Sequence, residues 1–257
     1  PEYKLGVIPG TNLPSIINLN EAVSHHVALL GITGSGKSYL ARELIMELVI
    51  DTMIICVDFT GEWKKKLEKV SIRPTILNKD NIETFLGGKC AVGIVELPTL
   101  SNTTDVLKAT EKLFEIVFNY AKKKYDEGVI IKVAMVLEEA HTITPETSFL
   151  GDLGDYGSNK AIVNKMSQIA LQGRKYGIGL VVIAQRTANV SKTVLTQCNT
   201  VICFQAFDET SFNFLGNYVG KDLVQALPNL HKYHAIVTGK AVKSNIPMII
   251  DLERKNK

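Results

Sequence analysis

The sequence predicts an α/β domain with a mainly parallel sheet, helices on both faces and a C-terminal pair of strands. Three observations carry that expectation. A continuous apolar run at residues 53–57 has the pattern of a strand buried on both faces, and mainly apolar runs at 91–97, 129–137 and 179–184 read as further strands. Segments between them place apolar residues at helical spacing, most clearly over 104–124, where Leu107, Thr110, Leu113, Phe114, Val117, Phe118 and Ala121 form one stripe. Finally, Gly31-Ile32-Thr33-Gly34-Ser35-Gly36-Lys37-Ser38 fits the phosphate-cradling pattern GxxxxGK[ST] at each fixed position, between a strand-like run at 27–30 and a helix-like run at 39–49.

At 257 residues and 46% hydrophobic content the chain has room for one large domain with a sizeable core. The net charge of +3 is too slight to mark a nucleic-acid binder. Contact with DNA would have to come from local clusters such as Lys64-Lys65-Lys66 or Lys122-Lys123-Lys124, whose ordinary reading is a solvated face. The cysteines, Cys56, Cys90, Cys198 and Cys203, show no CxxC spacing, and Cys56 and Cys203 lie inside apolar runs, which points to a reducing, cytoplasmic setting. No apolar stretch approaches the ~18 residues that span a bilayer, so no membrane partner is expected. The N-terminus lacks the regions of a signal peptide. The chain opens on Pro1 and reads as a fragment of something longer.

Taken in order, residues 1–24 carry Pro9, Gly10 and Pro14 among short apolar pairs, which suggests a lead-in crossing the surface of a domain spanning 25–257. His25 and His26 precede the first strand; neighbours on a strand point to opposite faces, so the pair reads as ordinary polar residues and not as metal ligands. After the phosphate loop, Leu40, Leu44, Met46, Leu48 and Val49 mark a helix with one apolar face. The run 53–57 ends in Asp58, at a strand's carboxyl end, where ligands bind in open α/β sheets. The lysines ending the helix at 104–124 complement its dipole, and Gly128 stands just beyond. The strand at 129–137 delivers Glu138, Glu139, Ala140 and His141. A polar stretch at 142–157 reads as a mobile loop long enough to be functional. Ser158 is the expected N-cap of a helix carrying Ile162, Met166, Ile169 and Ala170 and ending in Gly173-Arg174-Lys175-Tyr176-Gly177. The strand at 179–184 delivers Gln185 and Arg186; a fifth strand at 201–204, a helix at 210–227 and paired strands at 234–238 and 247–252 complete the chain.

The loop predicts a nucleotide site. Gly34 and Gly36 let the backbone curl so that consecutive N–H groups face anionic oxygens, reinforced by the positive end of the following helix. Candidate ATP-binding residues are Thr33, Gly34, Ser35, Gly36, Lys37, Ser38 and Tyr39, with Lys37 reaching the β and γ phosphates and Ser38 ligating Mg²⁺. An apolar strand ending in two acids supplies the other half: Glu138 would hold Mg²⁺ through its water and Glu139 would polarise the attacking water, the alternative being an acidic pair that caps a strand end. Gln185, on the next strand, can both donate and accept, which suits sensing the γ-phosphate or orienting water. Arg174 is either an arginine finger for a neighbouring subunit's γ-phosphate or a cation favouring its own helix C-terminus, and the residues leave both readings open.

The phosphate loop with His26 ahead of it, Asp58-Phe59-Thr60-Gly61-Glu62-Trp63, Leu137-Glu138-Glu139-Ala140-His141, and Gly173-Arg174-Lys175-Tyr176-Gly177-Ile178-Gly179-Leu180 running into Ala184-Gln185-Arg186 together resemble HerA, of the HerA/FtsK group of DNA-pumping ATPases. Residues 194–200 and 235–242 continue the likeness, which covers the chain from about residue 20. The resemblance implies a RecA-like P-loop NTPase core assembling as a homo-hexameric ring that threads double-stranded DNA, with ATP and Mg²⁺ between subunits and a nuclease as a compatible partner. It implies Glu139 as catalytic base, Gln185 as sensor, Arg174 as the finger supplied in trans and Arg186 as the second candidate for that role. Three departures stand out: Glu138 where the family usually has Asp, Thr187 where it often has Pro, and no N-terminal β-barrel ahead of the core, as in a truncated or minimal member. Rival readings are a same-superfamily ATPase serving secretion or conjugation, a regulatory ATP-binding module with slow turnover, and a P-loop small-molecule kinase.

Overall fold

The apolar runs become the centre of an eleven-stranded sheet in the computed structural model, which describes residues 2–97, 103–146 and 156–252. Its strands are β1 (Glu2–Val7), β2 (Pro14–Asn18), β3 (Val27–Leu30), β4 (Met53–Asp58), β5 (Thr75–Ile76), β6 (Val92–Glu96), β7 (Val133–Leu137), β8 (Ile178–Ala184), β9 (Thr200–Cys203), β10 (His234–Gly239) and β11 (Met248–Asp251). They run in the order β2-β1-β11-β10-β9-β3-β8-β7-β4-β6-β5. From β9 to β5 all pairings are parallel; β10, β11, β1 and β2 extend one edge in antiparallel fashion.

Every residue of β3, β4, β7, β8 and β9 is buried, because alternate side chains enter two cores. Val27, Leu29, Ile54, Cys56, Val181 and Ile183 pack on the face covered by α1 (Leu19–Ser24), α2 (Lys37–Leu48) and α3 (Trp63–Glu68). Ala28, Leu30, Ile55, Val57, Leu180 and Val182 face the opposite core, to which α5 (Thr103–Asp126), α7 (Tyr156–Gly173) and α9 (Glu209–Val219) contribute. Short α4 (Ile82–Leu86) leads into β6; α6 (Ala140–Ile143), α8 (Lys192–Gln197) and α10 (Lys221–Val224) complete the helices of the described residues.

The expected lead-in is regular structure instead. Residues 2–24 form β1, β2 and α1, and Leu5, Ile17, Leu19, Ala22 and Val23 are core residues. Pro9 and Gly10 punctuate a hairpin, Gly10 at φ +75°, and Pro14 opens an edge strand where a missing N–H costs no ladder bond. The strand expected over 129–137 begins only at Val133, and Val129 and Ile130 are 51% and 64% exposed. The helix expected over 210–227 breaks at Gly220, φ +88°, into α9 and α10. α7 starts at Tyr156, two residues before the expected cap at Ser158. Of the stretch read as a mobile loop, residues 142–146 are tied to the segment after β8, with Pro145 bridging to Val190 and the Ser191 N–H donating to the Thr144 carbonyl, and residues 147–155 lie outside the described part.

His25 and His26 sit ahead of β3 and not on it; His25 caps α1, and His26 is fully buried at φ +57°. His26 Nδ1 accepts from the Leu180 N–H at 3.0 Å and Nε2 donates to the Ala170 carbonyl at 3.2 Å, which fixes one neutral tautomer and ties α7 and β8 to the start of β3. Burial pushes its pKa down from 6.5 to about 4. The unfolded chain therefore binds a proton that the folded chain refuses between those values. This contribution is complete above pH 6.5 and disappears as the pH falls through about 4. Its size is roughly 3 kcal/mol. Urea unfolding of wild type is expected to lose that much stability from pH 7 to pH 4 beyond what His26→Asn loses, and parallel pH profiles would refute the assignment.

Candidate nucleotide site

The loop leaving β3 turns because Gly31, Gly34 and Gly36 all take positive φ. A Cβ on Gly36 would meet Phe204 and Tyr233 at 3.0 Å, whereas nothing lies within 4 Å of one on Gly34, so the loop is braced from beneath and open above. The bracing comes from the antiparallel edge: the Tyr233 N–H donates to the Ser35 carbonyl at 2.9 Å, the Ile32 N–H donates to Gln205 O at 2.8 Å, and the Tyr39 and Tyr233 rings meet edge-on at 5.5 Å. Lys37 opens α2 with its side chain buried, and Nζ donates to the carbonyls of Gly31 at 2.6 Å and Ile32 at 2.7 Å. Burial lowers its pKa to about 8, since no anion is in direct contact; Glu139 and Glu138 act only at a distance. An ammonium so placed is poised to exchange carbonyls for phosphate oxygens.

β7 delivers the acid pair. Glu139 occupies the left-handed region (φ +51°, ψ +49°) at the start of α6, a conformation costing about 1–3 kcal/mol in a non-glycine residue and typical of functional sites. Its Oε1 accepts from Gln185 Nε2, and Gln185 Oε1 accepts from Thr33 Oγ1 at 2.7 Å. Because β8 lies between β3 and β7, the Gln185 amide spans the gap from phosphate loop to acid strand and uses both its ends. His141 Nδ1 lies 3.3 Å from Glu139 Oε2, near enough for charge attraction but outside hydrogen-bond geometry. Burial lowers the His141 pKa against the pull of Glu139.

Glu138 is buried, with Oε1 3.0 Å from Lys66 Nζ and Oε2 3.3 Å from Thr60 Oγ1. Burial raises its pKa, and Lys66 opposes the shift. Asp58, expected at a ligand-binding strand end, is instead consumed internally. Its Oδ1 accepts from the N–H groups of Thr60 at 3.0 Å and Gly61 at 2.9 Å, and its Oδ2 accepts from the Trp63 N–H at 2.9 Å. That staple fixes the turn into α3.

These groups surround a cavity of about 390 Å³ lined by Gly34, Lys37, Ser38, Tyr39, Thr60, Lys66, Glu138, Glu139, Gln185, Lys232 and Tyr233, among others. The structure thus brings together Thr33, Gly34, Gly36, Lys37, Ser38, Tyr39, Glu138, Glu139 and Gln185; Ser35 turns inward, its hydroxyl donating to the Ile32 carbonyl at 2.7 Å. Ser38 and Glu138 offer a hydroxyl and a carboxylate, hard oxygen donors that fit Mg²⁺ when phosphates and waters complete its shell. Arg186 is exposed and lines an adjoining cavity of about 650 Å³ beyond Gln185.

Arg174 is elsewhere. It lies exposed on a 3₁₀ turn, Arg174–Tyr176, ahead of β8, whereas Gln185 follows that strand. β8 has seven residues, so Arg174 sits roughly 23 Å from its own site at about 3.3 Å per residue. Sequence reasoning missed Thr60, Lys66, Lys232 and Tyr233. Lys66 belonged to a cluster read as a solvated face, and only the helical step of three from Trp63 could have marked it out.

A phosphate loop, an acid pair ending a buried strand, and a glutamine on the strand between them define a RecA-like P-loop NTPase. The comparisons narrow the class. Residues 3–127 match the family described as Helicase HerA, central domain. The chain is 28% identical over 171 residues to a probable helicase of Methanocaldococcus jannaschii, covering 63% of this chain and 31% of that one. It is 25% identical over 198 residues to the DNA double-strand break repair helicase HerA of Saccharolobus solfataricus, covering 75% and 37%. The genome packaging NTPase B204 of Sulfolobus turreted icosahedral virus 2, in complex with ATP-gammaS, shares the fold with a TM-score of 0.61 at 17% identity, over 88% of this chain and 97% of that one. The chain is thus similar to HerA helicases over part of its length, and it spans about a third of the length of the two helicases. Among the described residues no helix is long and apolar enough to cross a membrane.

Proposed function

We propose that this chain is the ATP-hydrolysing core of a ring-forming motor on double-stranded DNA, each site completed by a neighbouring copy. The observation that carries the hydrolytic part is the Thr33–Gln185–Glu139 chain of hydrogen bonds, which couples the phosphate loop to the candidate base. Loop N–H groups and Lys37 bind the β and γ phosphates. Gln185 orients the Glu139 carboxylate, and Glu139 draws the proton from the attacking water. Mg²⁺, held at Ser38 and near Glu138, would neutralise charge on the phosphate oxygens. The ring reading is supported by the position of Arg174, too far from its own phosphate loop to serve it and exposed for another's, and by the similarity to HerA helicases.

Steady-state ATP hydrolysis across protein concentrations, with and without double-stranded DNA, tests this. Specific activity is expected to rise with concentration and with DNA, and DNA stimulation to fall steeply with salt as phosphate contacts are screened. Activity indifferent to both leaves a stand-alone nucleotide-binding module.

A further inference from the structure

Lys37, Lys66 and Lys232 face Glu62, Glu138 and Glu139 across the cavity, so the chain's own charges there balance and offer no surplus to a polyanionic triphosphate. Lys37 belongs to the phosphate loop. Lys66 does not, and its surroundings are unusual. Its Nζ lies 3.0 Å from Glu138 Oε1 and 3.0 Å from Glu62 Oε2. The Glu62 side chain is 63% exposed and that of Glu138 is 6% exposed, so only the second contact is desolvated and strong. Lys66 is also held on a rigid mount: Asp58 staples the turn, Trp63 is fully buried at the start of α3, and the ammonium lies 5.6 Å from the Trp63 ring centroid.

Glu138 is thus claimed twice. It is the acid placed to hold Mg²⁺ through water, and it is the partner of Lys66. Two cations on one buried carboxylate repel, so metal engaging Glu138 weakens the hold of that carboxylate on the ammonium. The nearest new anion follows from the reading of Glu139 as the base: the terminal phosphate would then lie between Glu139 and the phosphate loop, in the cavity that Lys66 and Glu138 also line.

We propose that Lys66 is a second phosphate-binding lysine, which exchanges Glu138 for the terminal phosphate of ATP when Mg²⁺ engages that carboxylate. The inference rests on the nucleotide-binding reading of the site. It makes Lys66, beside Lys37, a residue by which the site distinguishes a triphosphate from a diphosphate.

The test is equilibrium binding of fluorescent ATP and ADP analogues to wild type, Lys66→Met and Lys66→Arg, with Mg²⁺ and with EDTA. With Mg²⁺, Lys66→Met is expected to weaken ATP binding roughly 10- to 100-fold, the range of a hydrogen bond to a charged group, and ADP binding no more than about twofold. Lys66→Arg should recover most of the loss. The Mg²⁺ concentration at half-maximal ATP-analogue binding should fall in Lys66→Met, since a competitor for Glu138 has gone. Equal weakening of ATP and ADP, or of neither, overturns the proposal and leaves Lys66 as a structural counter-ion. Because Lys66→Met also strands a buried carboxylate, Lys66→Met/Glu138→Gln is measured beside it. An ATP-to-ADP preference that stays low supports the proposal, and one restored to the value of Glu138→Gln overturns it. Failure of wild type to bind either analogue would instead sink the nucleotide reading beneath it.

Discussion

Glu139→Gln is expected to reduce steady-state ATP hydrolysis by ~10²- to 10⁴-fold, the usual contribution of a positioned general base, while nucleotide binding survives. The substitution keeps the size of the side chain and a carbonyl oxygen able to accept from Gln185 Nε2, so the link to Thr33 can persist. It removes only the charge that draws a proton from water. The left-handed backbone of Glu139 makes the alternative, an acid merely capping a strand end, a poor explanation, because such a cap has no need of a strained conformation. Fluorescent-nucleotide titration beside single-turnover hydrolysis separates the two. Parallel loss of binding and turnover would make Glu139 a scaffold for the pocket.

The central strands were legible because burial on both faces leaves an unbroken apolar run, and the phosphate loop because its glycines and Lys37 answer to a backbone requirement. Gln185 was legible because it ends the apolar run that becomes β8; that β8 lies between the loop and the acids is shown by the sheet order. What escaped was set by tertiary contact. Residues 2–18 pair with each other as a hairpin, but it is β11, returning from the far end of the chain to meet β1, that joins the hairpin to the sheet, and no local pattern announces that. Tyr233 reaches the phosphate loop through the turn into β10, at positive φ. Lys66 read as surface because its neighbours Lys64 and Lys65 are exposed, and its partner Glu138 lies 72 residues away. Asp58 sits where a ligand-binding acid would, and only its hydrogen bonds show that its acceptors are taken.

Arg174→Ala is expected to lower hydrolysis by ~10³- to 10⁵-fold if the arginine completes a neighbour's site, although its own phosphate loop lies at the other end of β8. The competing role is local. Arg174 ends the α7 segment, where a cation stabilises a helix C-terminus by about 0.3–1 kcal/mol; in that case Arg174→Ala shifts stability slightly and leaves hydrolysis alone. Arg186, the second candidate for the trans role, is exposed and lines the adjoining cavity beside Gln185. Mixing decides the matter. Arg174→Ala and Glu139→Gln chains are each inactive alone under the trans reading, but a mixed ring pairs an intact Glu139 with an intact Arg174 at about a quarter of its head-to-tail interfaces. Activity that appears on mixing and rises with total protein assigns Arg174 to the partner's site, whereas two inactive variants that stay inactive together would overturn that assignment.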